Sequence, residues 1–451
     1  MAIFRSREAL LVFLGLYALA LVLLLPSKPL WVDEIIDLGG VRNASDVSGV
    51  LAFVPSNAGG VPLGYLVDFA MIRTFGYSVS VVRFPSVLFT VLTCVGVFTL
   101  ARQTGLRWPI LAVVAYAISP MTFRYALEAR PYAQAACWSV FASVMLLSLV
   151  QRPSGGKAAG YSVLVAAGLY TQPYSIFVPV AHLIWLVLVK RQSRPVWLAG
   201  TAVALASFSF LPWFFKIHSA WQGVVSSGVR FTVSGRDLLV IPHELMGTGY
   251  IGAGLTLVAV LVALGWSPMR SDHKFFLGLC ALIPVVLVPA ADAIFGYFLA
   301  ARQLIFVLVS ISILIAACAG LRRWGLLLPA VLLVAMAYED VRWVRRPGEG
   351  WEPAASQLSQ LTNKIADPGT CAMFVPSGAR TMYLFYEPHI GVCDESILAT
   401  FVAVALAISP DRTSSAYADS RQELERAGFR KVDDVTSSGP QINPRIEVYR
   451  K

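Results

Sequence analysis

The chain has 451 residues, of which 57% are hydrophobic and only 14% are charged. This composition excludes a typical soluble enzyme. It predicts a mainly α-helical protein that crosses a membrane many times, because apolar runs of roughly 20 residues match a hydrocarbon core of about 30 Å. The net charge of +10 does not predict nucleic-acid binding, since most of the Lys and Arg residues fall in short loops between the apolar runs.

The apolar runs predict eleven transmembrane spans. They are residues 9–25, 81–101, 109–123, 131–150, 158–172, 175–189, 196–215, 248–266, 275–290, 302–320 and 324–338. We expect the first span to stay uncleaved, because no small-residue cleavage motif follows it.

Basic residues recur in the loops that follow the even-numbered spans. They are Arg102, Arg107, Arg152, Lys157, Lys190, Arg191, Arg194, Arg270, Lys274, Arg322 and Arg323. The positive-inside rule places these loops and the N-terminus in the cytoplasm. The loops 26–80, 124–130, 216–247 and 291–301 and the region 339–451 then lie outside the inner (cytoplasmic) membrane.

The segment Pro62–Phe75 is predicted not to cross. It carries Asp68 and Arg73, and as a helix it is about 21 Å long, too short for the hydrocarbon core. Its apolar residues follow a one-sided helical spacing. They are Leu63, Leu66, Val67, Ala70 and Met71. We therefore predict a helix that lies in the membrane interface, from which Asp68 faces either a functional site or water.

Residues 1–338 are predicted to form the transmembrane domain, and residues 339–451 a small extracytoplasmic α/β domain, because polar residues dominate after Tyr338. The patterns predict a helix at 351–365, a strand at 371–375, a strand or helix at 382–386, a helix at 421–427 and a terminal strand at 446–449. The apolar run 397–408 is too short to cross and either forms the core of this domain or docks onto the membrane.

Two cysteines, Cys371 and Cys393, lie in the C-terminal region. Because this region is expected to lie outside the cytoplasmic membrane, and disulfides persist in oxidising compartments, we predict a disulfide between them. The remaining cysteines fall within apolar runs and are interpreted as small buried hydrophobic residues. They are Cys94, Cys137, Cys280 and Cys318.

Three carboxylates follow the first span within a few residues, in the sequence Trp31-Val-Asp33-Glu34-Ile-Ile-Asp37. On a short helix Asp33 and Asp37 share a face, while Glu34 points about 100° away. An acidic cluster at a membrane surface is typical of a general base or of metal ligands. The alternative, which stays open, is a hydrated loop that merely follows a transmembrane helix.

Two further polar groups fall in predicted outer loops. The first is Arg124-Tyr-Ala-Leu-Glu128-Ala-Arg130-Pro-Tyr132. The second comprises Lys216, His218, Arg230, Arg236, His243 and Glu244, with Arg302 at the start of the tenth span. Arginine makes bidentate, permanently charged contacts with phosphate. Carboxylates and arginines at one membrane face therefore suit a substrate with a phosphate and an ionisable hydroxyl.

Simpler roles are open for some of these residues. Arg124 and Arg130 either bind substrate or anchor helix ends in lipid headgroups. His182 lies within an apolar run and is interpreted as a hydrogen-bonded core residue. No cofactor is predicted with certainty; if a divalent metal is bound, His243 and Glu244 are the candidate ligands.

Several motifs resemble those of the GT-C glycosyltransferases. Trp31-Val-Asp33-Glu34 is similar to the acidic motif of their first outer loop. The next segment of this family resembles three stretches of this chain, which are Pro62-Leu-Gly-Tyr65, Phe75-Gly76 and Arg83-Phe-Pro85-Ser86. Their second outer-loop motif is similar to Ser119-Pro120, Tyr125 and Glu128-Ala-Arg130-Pro-Tyr132. The likeness covers about residues 1–150 and points to protein O-mannosyltransferases and lipid A aminoarabinose transferases.

The resemblance implies a GT-C fold with interfacial helices in the first outer loop. It also implies transfer of a sugar from a polyprenyl-phosphate donor to a lipid, glycan or protein acceptor, with inversion by direct displacement. Asp33 matches the family's catalytic carboxylate, and Glu34 would assist or orient it. Arg130, together with Arg302, would hold the donor phosphate and stabilise the charge of the leaving group. The other predicted substrate-binding residues are Tyr65, Glu128, Tyr132 and Asp37.

One departure from the family pattern concerns the donor. Charged residues precede the interfacial helix in the aminoarabinose transferases, whereas Gly59-Gly60-Val61 stand there in this chain. The sugar and any metal therefore stay open. The alternative function is a transporter or flippase of a lipid-linked or amphiphilic substrate. Polar clusters at the bilayer midplane would favour transport, whereas the charges here concentrate at one predicted face.

Overall fold

The computed structural model describes residues 7–57, 60–191, 193–226, 235–295, 299–321, 325–364, 370–375, 377–393, 401, 403–408, 414–436 and 444–451. The chain forms two compact units. Unit 1 comprises Met1–Leu25 and Ala44–Arg345, and unit 2 comprises Pro26–Asn43 and Arg346–Lys451. The sequence analysis divides the chain after residue 338. The structure differs because the helix Leu327–Arg345 continues past that point and because residues 26–43 group with the C-terminal region.

In the described residues of unit 1, all regular secondary structure is helical. Its helices are Arg7–Leu24, Val47–Phe53, Pro62–Phe75, Val79–Gln103, Pro109–Ala117, Pro120–Ala126, Tyr132–Gln151, Gly155–Thr171, Phe177–Trp185, Ser193–Ser226, Gly235–Met246, Gly249–Trp266, Ser271–Phe295, Val307–Cys318 and Leu327–Arg345. Short 3-10 turns include Pro173–Ile176 and Ala301–Leu304. The mainly α-helical membrane fold that the composition predicts is confirmed.

Seven helical segments of the described chain are long and apolar enough to cross a membrane. They are Arg7–Ser27, Val79–Gln103, Tyr132–Gln151, Pro173–Lys190, Ser193–Gln222, Gly249–Trp266 and Ser271–Ile294. Each of them overlaps one of the eleven predicted spans. The total of eleven stays a prediction, because the other four predicted spans do not form single helices that are both long enough and apolar enough to cross.

The four other spans differ for local reasons. Residues 109–123 do not form one continuous helix: Pro120 starts a new helix, and the residue before a proline is driven out of the helical region. Residues 302–320 begin as a 3-10 turn. The helix Gly155–Thr171 has 17 residues, slightly short of a typical span. The helix Leu327–Arg345 carries a charged C-terminal end.

The predicted helix Pro62–Phe75 is confirmed at both ends. Pro62 occupies the first turn, where its missing N–H costs nothing, and Gly76 has a φ of 80°, a conformation that glycine adopts without strain. The buried face of the helix carries Gly64, Tyr65 and Asp68, so Asp68 does not face water. Placement of this helix in the interface stays a prediction.

Unit 2 contains a four-stranded sheet. Its strands are Thr370–Val375, Ala403–Ile408, Arg430–Thr436 and Arg445–Arg450. The first and second strands pair in parallel, and the fourth pairs antiparallel with both the second and the third. Its helices are Val32–Asn43, Trp351–Lys364, Arg380–Tyr386 and Ser414–Arg426.

The structure answers the questions left open for the C-terminal region. Every residue of Ala403–Ile408 is buried, so this part of the apolar run 397–408 forms the core of the sheet; residues 397–400 lie outside the described residues. Residues 382–386 are helical. The predicted disulfide is confirmed, since Cys371 and Cys393 are bonded with their Cα atoms 4.9 Å apart. The strand Arg430–Thr436 was not predicted.

Candidate functional site

The three carboxylates after the first span lie on one helix, Val32–Asn43, which we call the acidic helix. Its first turn is capped from within, because Glu34 Oε2 accepts a hydrogen bond from the Trp31 N–H at 3.2 Å. This is half of a capping box, in which the third helical residue binds the backbone that precedes the helix. This segment is therefore a capped helix and not the hydrated loop that the sequence left open as an alternative.

The three acidic side chains differ in exposure. Glu34 is fully buried and Asp37 is 5% exposed, whereas Asp33 is partly exposed. Among the three, Asp33 is thus the carboxylate most accessible to a substrate. Glu34 accepts the capping hydrogen bond, and the orienting role that the family resemblance implies for it stays a prediction.

A fourth carboxylate, Glu349, reaches the acidic helix from the C-terminal part of unit 2. Its Oε2 atom accepts hydrogen bonds from the Val32 N–H at 3.0 Å and from Trp351 Nε1–H at 2.6 Å. Sequence reasoning missed Glu349, because it lies 317 residues from Val32 and no local pattern links the two positions.

The predicted phosphate-binding residues of unit 1 meet at the Tyr132 hydroxyl oxygen. This oxygen accepts a hydrogen bond from Arg302 Nε at 3.0 Å and one from Arg130 Nη2 at 3.4 Å. The Arg130 guanidinium also lies 5.5 Å from the centre of the Tyr132 ring. We call Glu128, Arg130, Tyr132 and Arg302 the arginine cluster.

The backbone of the loop around Arg130 is held by a serine that the sequence reasoning did not select as a site residue. Ser86 Oγ donates to the Glu128 carbonyl oxygen at 2.6 Å and lies 3.4 Å from the Arg130 carbonyl oxygen. Within the loop, the Arg130 N–H donates to the Glu128 carbonyl at 2.8 Å. Ser86 is 2% exposed, so it shapes this turn from the helix Val79–Gln103.

Glu128 is buried and paired. Its Oε1 atom accepts a hydrogen bond from Arg124 Nε at 2.7 Å, and the Arg124 side chain remains 41% exposed. Tyr125 lies beneath the Arg124 guanidinium. Burial, reinforced by the Glu128 carboxylate, raises the pKa of Tyr125 above its ordinary value, so this phenol stays neutral. The ion pair makes Glu128 a support for the loop as well as a candidate substrate contact.

Tyr65 is placed next to the same loop. Its hydroxyl accepts a hydrogen bond from Asn57 Nδ2 at 2.8 Å, and Phe53 packs edge-on against its ring. The residue before Tyr65 is Gly64, which lies so close to Pro131 that a Cβ added to it would be 3.0 Å from the Pro131 Cβ. The structure thus brings Tyr65 near the arginine cluster.

The histidines separate into different roles. His182 is fully buried; its Nε2 lies 3.0 Å from Ser143 Oγ and its Nδ1 lies 2.9 Å from the Tyr161 hydroxyl, so it is the core residue that the sequence predicts. His243 packs against the Tyr250 ring at 4.5 Å, while Glu244 is exposed. His243 and Glu244 are adjacent on one helix, and adjacent helical side chains diverge by about 100°. Arg230, which was grouped with them, lies outside the described residues.

Comparisons with known proteins give a family model and several solved structures. Residues 62–213 match the model of the dolichyl-phosphate-mannose-protein mannosyltransferases. This range includes Tyr65 and three members of the arginine cluster but neither Asp33 nor Arg302. No curated protein sequence matches the chain.

Several solved structures are similar to this chain. ArnT from Cupriavidus metallidurans, bound to undecaprenyl phosphate, has a TM-score of 0.59 and 14% identity, and 98% of each chain is covered. AglB, the oligosaccharyltransferase of Archaeoglobus fulgidus, in complex with an inhibitory peptide and a dolichol-phosphate, has a TM-score of 0.57 and 11% identity. That match covers 89% of this chain and 69% of AglB. This chain therefore has the fold of these proteins, and its resemblance to the protein O-mannosyltransferases and to ArnT is confirmed.

Proposed function

We propose that the protein is a membrane glycosyltransferase. It moves a sugar from a polyprenyl-phosphate-linked donor to a hydroxyl or phosphate acceptor on a lipid, glycan or protein at the extracytoplasmic face. The observation that carries this proposal is the convergence of Arg130 and Arg302 on the Tyr132 oxygen. The fold supports the donor class, because the similar ArnT structure holds undecaprenyl phosphate.

The arginine cluster suits the leaving group. When the bond between the anomeric carbon and the phosphate oxygen breaks, the lipid phosphate gains negative charge. Guanidinium groups are charged at every physiological pH and bind phosphate oxygens in pairs. Arg130 and Arg302, oriented in advance by Tyr132, would stabilise this charge as it develops, and such preorganised stabilisation is a large contribution to catalysis.

Asp33 suits the acceptor side of the reaction. As general base its carboxylate takes the proton of an acceptor hydroxyl, while the acceptor oxygen forms the new bond to the anomeric carbon. A single displacement of this kind inverts the configuration at that carbon. The polyprenyl phosphate leaves with the electron pair of the broken bond. Glu34 keeps the first turn of the acidic helix in place, and Asp37 is proposed to contribute to substrate binding from one turn further along.

A metal ion is assigned no step in this reaction. A structure of the archaeal oligosaccharyltransferase contains zinc. In the described part of this chain, no group of three or more His, Cys, Asp or Glu side chains could hold a metal ion. For the predicted pair, His243 packs against the Tyr250 ring and Glu244 is exposed, and their role as metal ligands stays a prediction.

The proposal is tested by separating turnover from donor binding. Asp33→Asn keeps the size of the side chain but removes its ability to take a proton. It should lower turnover by about 10²–10⁴-fold and leave donor binding nearly unchanged. Arg130→Ala should instead weaken donor binding, and Arg130→Lys should restore only part of it, since a point charge cannot make the bidentate contact.

The assay is transfer from undecaprenyl-phosphate sugars in liposomes at matched protein levels. Asp419→Asn is the control for Asp33, because Asp419 is an exposed aspartate on a helix of unit 2. Arg102→Ala is the control for Arg130, because Arg102 is an exposed arginine of unit 1. Wild-type turnover by folded Asp33→Asn would remove Asp33 from the catalytic role. Absence of transfer by the wild-type protein from every such donor would contradict the proposed function itself.

A further inference from the structure

The acidic helix is held at its N-terminal end by Glu349. The two hydrogen bonds described above join its Oε2 atom to the Val32 N–H and to Trp351 Nε1–H. Val32 is the first residue of the helix and directly precedes Asp33. The first N–H groups of a helix have no partner within it, and a negative charge there is favourable. Glu349 therefore binds the backbone beside the proposed general base.

The chain just before Glu349 is packed against the segment that leads into the acidic helix. A Cβ added at Gly348 would lie 2.6 Å from Pro29 Cδ and 2.9 Å from Pro29 Cγ. No real Cβ tolerates such a distance, so any larger residue at position 348 must displace one of the two segments. This close approach limits where the Glu349 carboxylate can go.

Glu349 is in turn attached to the sheet of unit 2. Its partner Trp351 is 1% exposed, and the Trp351 ring packs edge-on against Tyr383 at 5.8 Å. Tyr383 contacts Phe374 at 5.4 Å, and Phe374 belongs to the strand Thr370–Val375. A continuous series of buried aromatic contacts thus leads from the sheet to the carboxylate that binds the acidic helix.

The other end of the acidic helix is held by the same part of unit 2. Arg42 Nη1 donates to the Phe385 carbonyl oxygen at 3.1 Å, and the Arg42 guanidinium lies 5.4 Å from the Phe385 ring centre. Phe385 lies on the helix Arg380–Tyr386. Both ends of the acidic helix are therefore bound by residues 349–386, although the helix belongs to the N-terminal part of the chain.

We propose that the C-terminal region positions the catalytic carboxylate, with Glu349 as the positioning residue for Asp33. This inference rests on the proposed function, in which Asp33 is the general base. A displacement of about 1 Å in a reacting group can lower the rate by about 10²-fold. Loss of the Glu349 carboxylate allows such a displacement at the first turn, whereas donor binding by the arginine cluster does not depend on it.

The kinetic test compares two substitutions. Glu349→Ala removes both hydrogen bonds and should lower kcat about tenfold or more, while KM for the undecaprenyl-phosphate sugar changes by less than about twofold. Glu349→Gln should keep most of the activity, because one amide oxygen can accept both hydrogen bonds. Glu352→Ala is the matched control, since Glu352 is an exposed glutamate three residues further along the same segment.

A second measurement does not depend on activity. Hydrogen–deuterium exchange of peptides covering 28–38 should rise in Glu349→Ala and stay near wild type in Glu349→Gln and Glu352→Ala. Peptides covering the strand Ala403–Ile408, and the Cys371–Cys393 disulfide, should be unchanged.

Each other outcome has a definite meaning. Wild-type kcat and wild-type exchange in Glu349→Ala would overturn the positioning role. Increased exchange over the whole of unit 2 would also overturn it, since Glu349 would then support the general fold. If the wild-type protein transfers no sugar, the proposed function fails, and the exchange of residues 28–38 still decides whether Glu349 holds the acidic helix.

Discussion

Replacing Tyr132 by Phe should weaken donor binding about tenfold. The substitution removes one oxygen and with it two hydrogen bonds, from Arg302 at 3.0 Å and from Arg130 at 3.4 Å. A hydrogen bond to a charged group contributes about 1.5–3 kcal/mol. The bond at 3.4 Å lies beyond the usual range and is not counted. Because both arginines are partly solvated, the bond from Arg302 is counted at the low end of that range, about 1.5 kcal/mol, which is roughly tenfold in affinity.

The ring contacts of Tyr132 should survive this change. A Phe ring can still pack edge-on against Tyr125, whose ring centre is 4.7 Å away, and can still lie under the Arg130 guanidinium. The protein should therefore fold, and the loss should come from arginines that are no longer held in place before the donor binds.

The measurement is the Kd for undecaprenyl phosphate by native mass spectrometry, with KM and kcat for sugar transfer alongside. Tyr170→Phe is the control, because it also removes a tyrosine hydroxyl, which donates a hydrogen bond to the Ser209 carbonyl oxygen. An unchanged Kd in folded Tyr132→Phe, with Tyr170→Phe equally unchanged, would show that the arginines do not need Tyr132. A lower kcat without a change in Kd would assign Tyr132 to the chemical step instead.

Two further predictions concern topology and pH. A reporter that is active only in the cytoplasm, fused after Lys451, should be silent; activity would contradict the topology read from the basic loops. In unit 2, burial raises the pKa of Glu447, but hydrogen bonds from Lys431, Tyr449 and Tyr417 lower it overall below its ordinary value. The resulting stability is present above the ordinary glutamate pKa of about 4.3 and is lost as the pH falls through the lowered value. Thermal unfolding of Glu447→Gln should therefore depend less on pH below about 4.3 than that of the wild type, and an equal dependence would contradict the assignment.

Local signals were sufficient for some elements of the fold. The helix Pro62–Phe75 forms with the predicted bounds, and the backbone preferences of Pro62 and Gly76 explain why it begins and ends there. The Cys371–Cys393 disulfide was predicted from compartment and chain region, without any knowledge of the distance between the two residues.

The helix break at Pro120 shows how a strong signal can hide a weaker one. The run 109–123 is apolar throughout its centre, and this uniform hydropathy predicted a single span. Pro120 nevertheless begins a new helix, and Ser119 takes an extended ψ of 126°, as the residue before a proline prefers. The proline that breaks the helix is visible in the sequence, but the uniform hydropathy of residues 109–123 favoured a single span.

Long-range contacts had no local signal at all. Tyr132 and Arg302 are separated by 170 residues, and they were grouped because the basic loops predict that both lie at the outer face and because separate motifs resemble those of one family. Val32 and Glu349 are separated by 317 residues and fall in no shared motif. Because such contacts depend on the complete fold, a pattern read along the chain cannot place Glu349 at the start of the acidic helix.

The division of the chain also separates the two proposed chemical roles. Every member of the arginine cluster belongs to unit 1, whereas Asp33 and the residues that hold its helix belong to unit 2. If the roles follow this division, substitutions in unit 1 such as Arg130→Ala change donor binding, and substitutions in unit 2 such as Glu349→Ala change turnover. A purely structural role for these residues predicts no such separation, because misfolded protein loses binding and turnover together. The kinetic pattern over the two sets of variants is therefore evidence about mechanism that no single variant can supply.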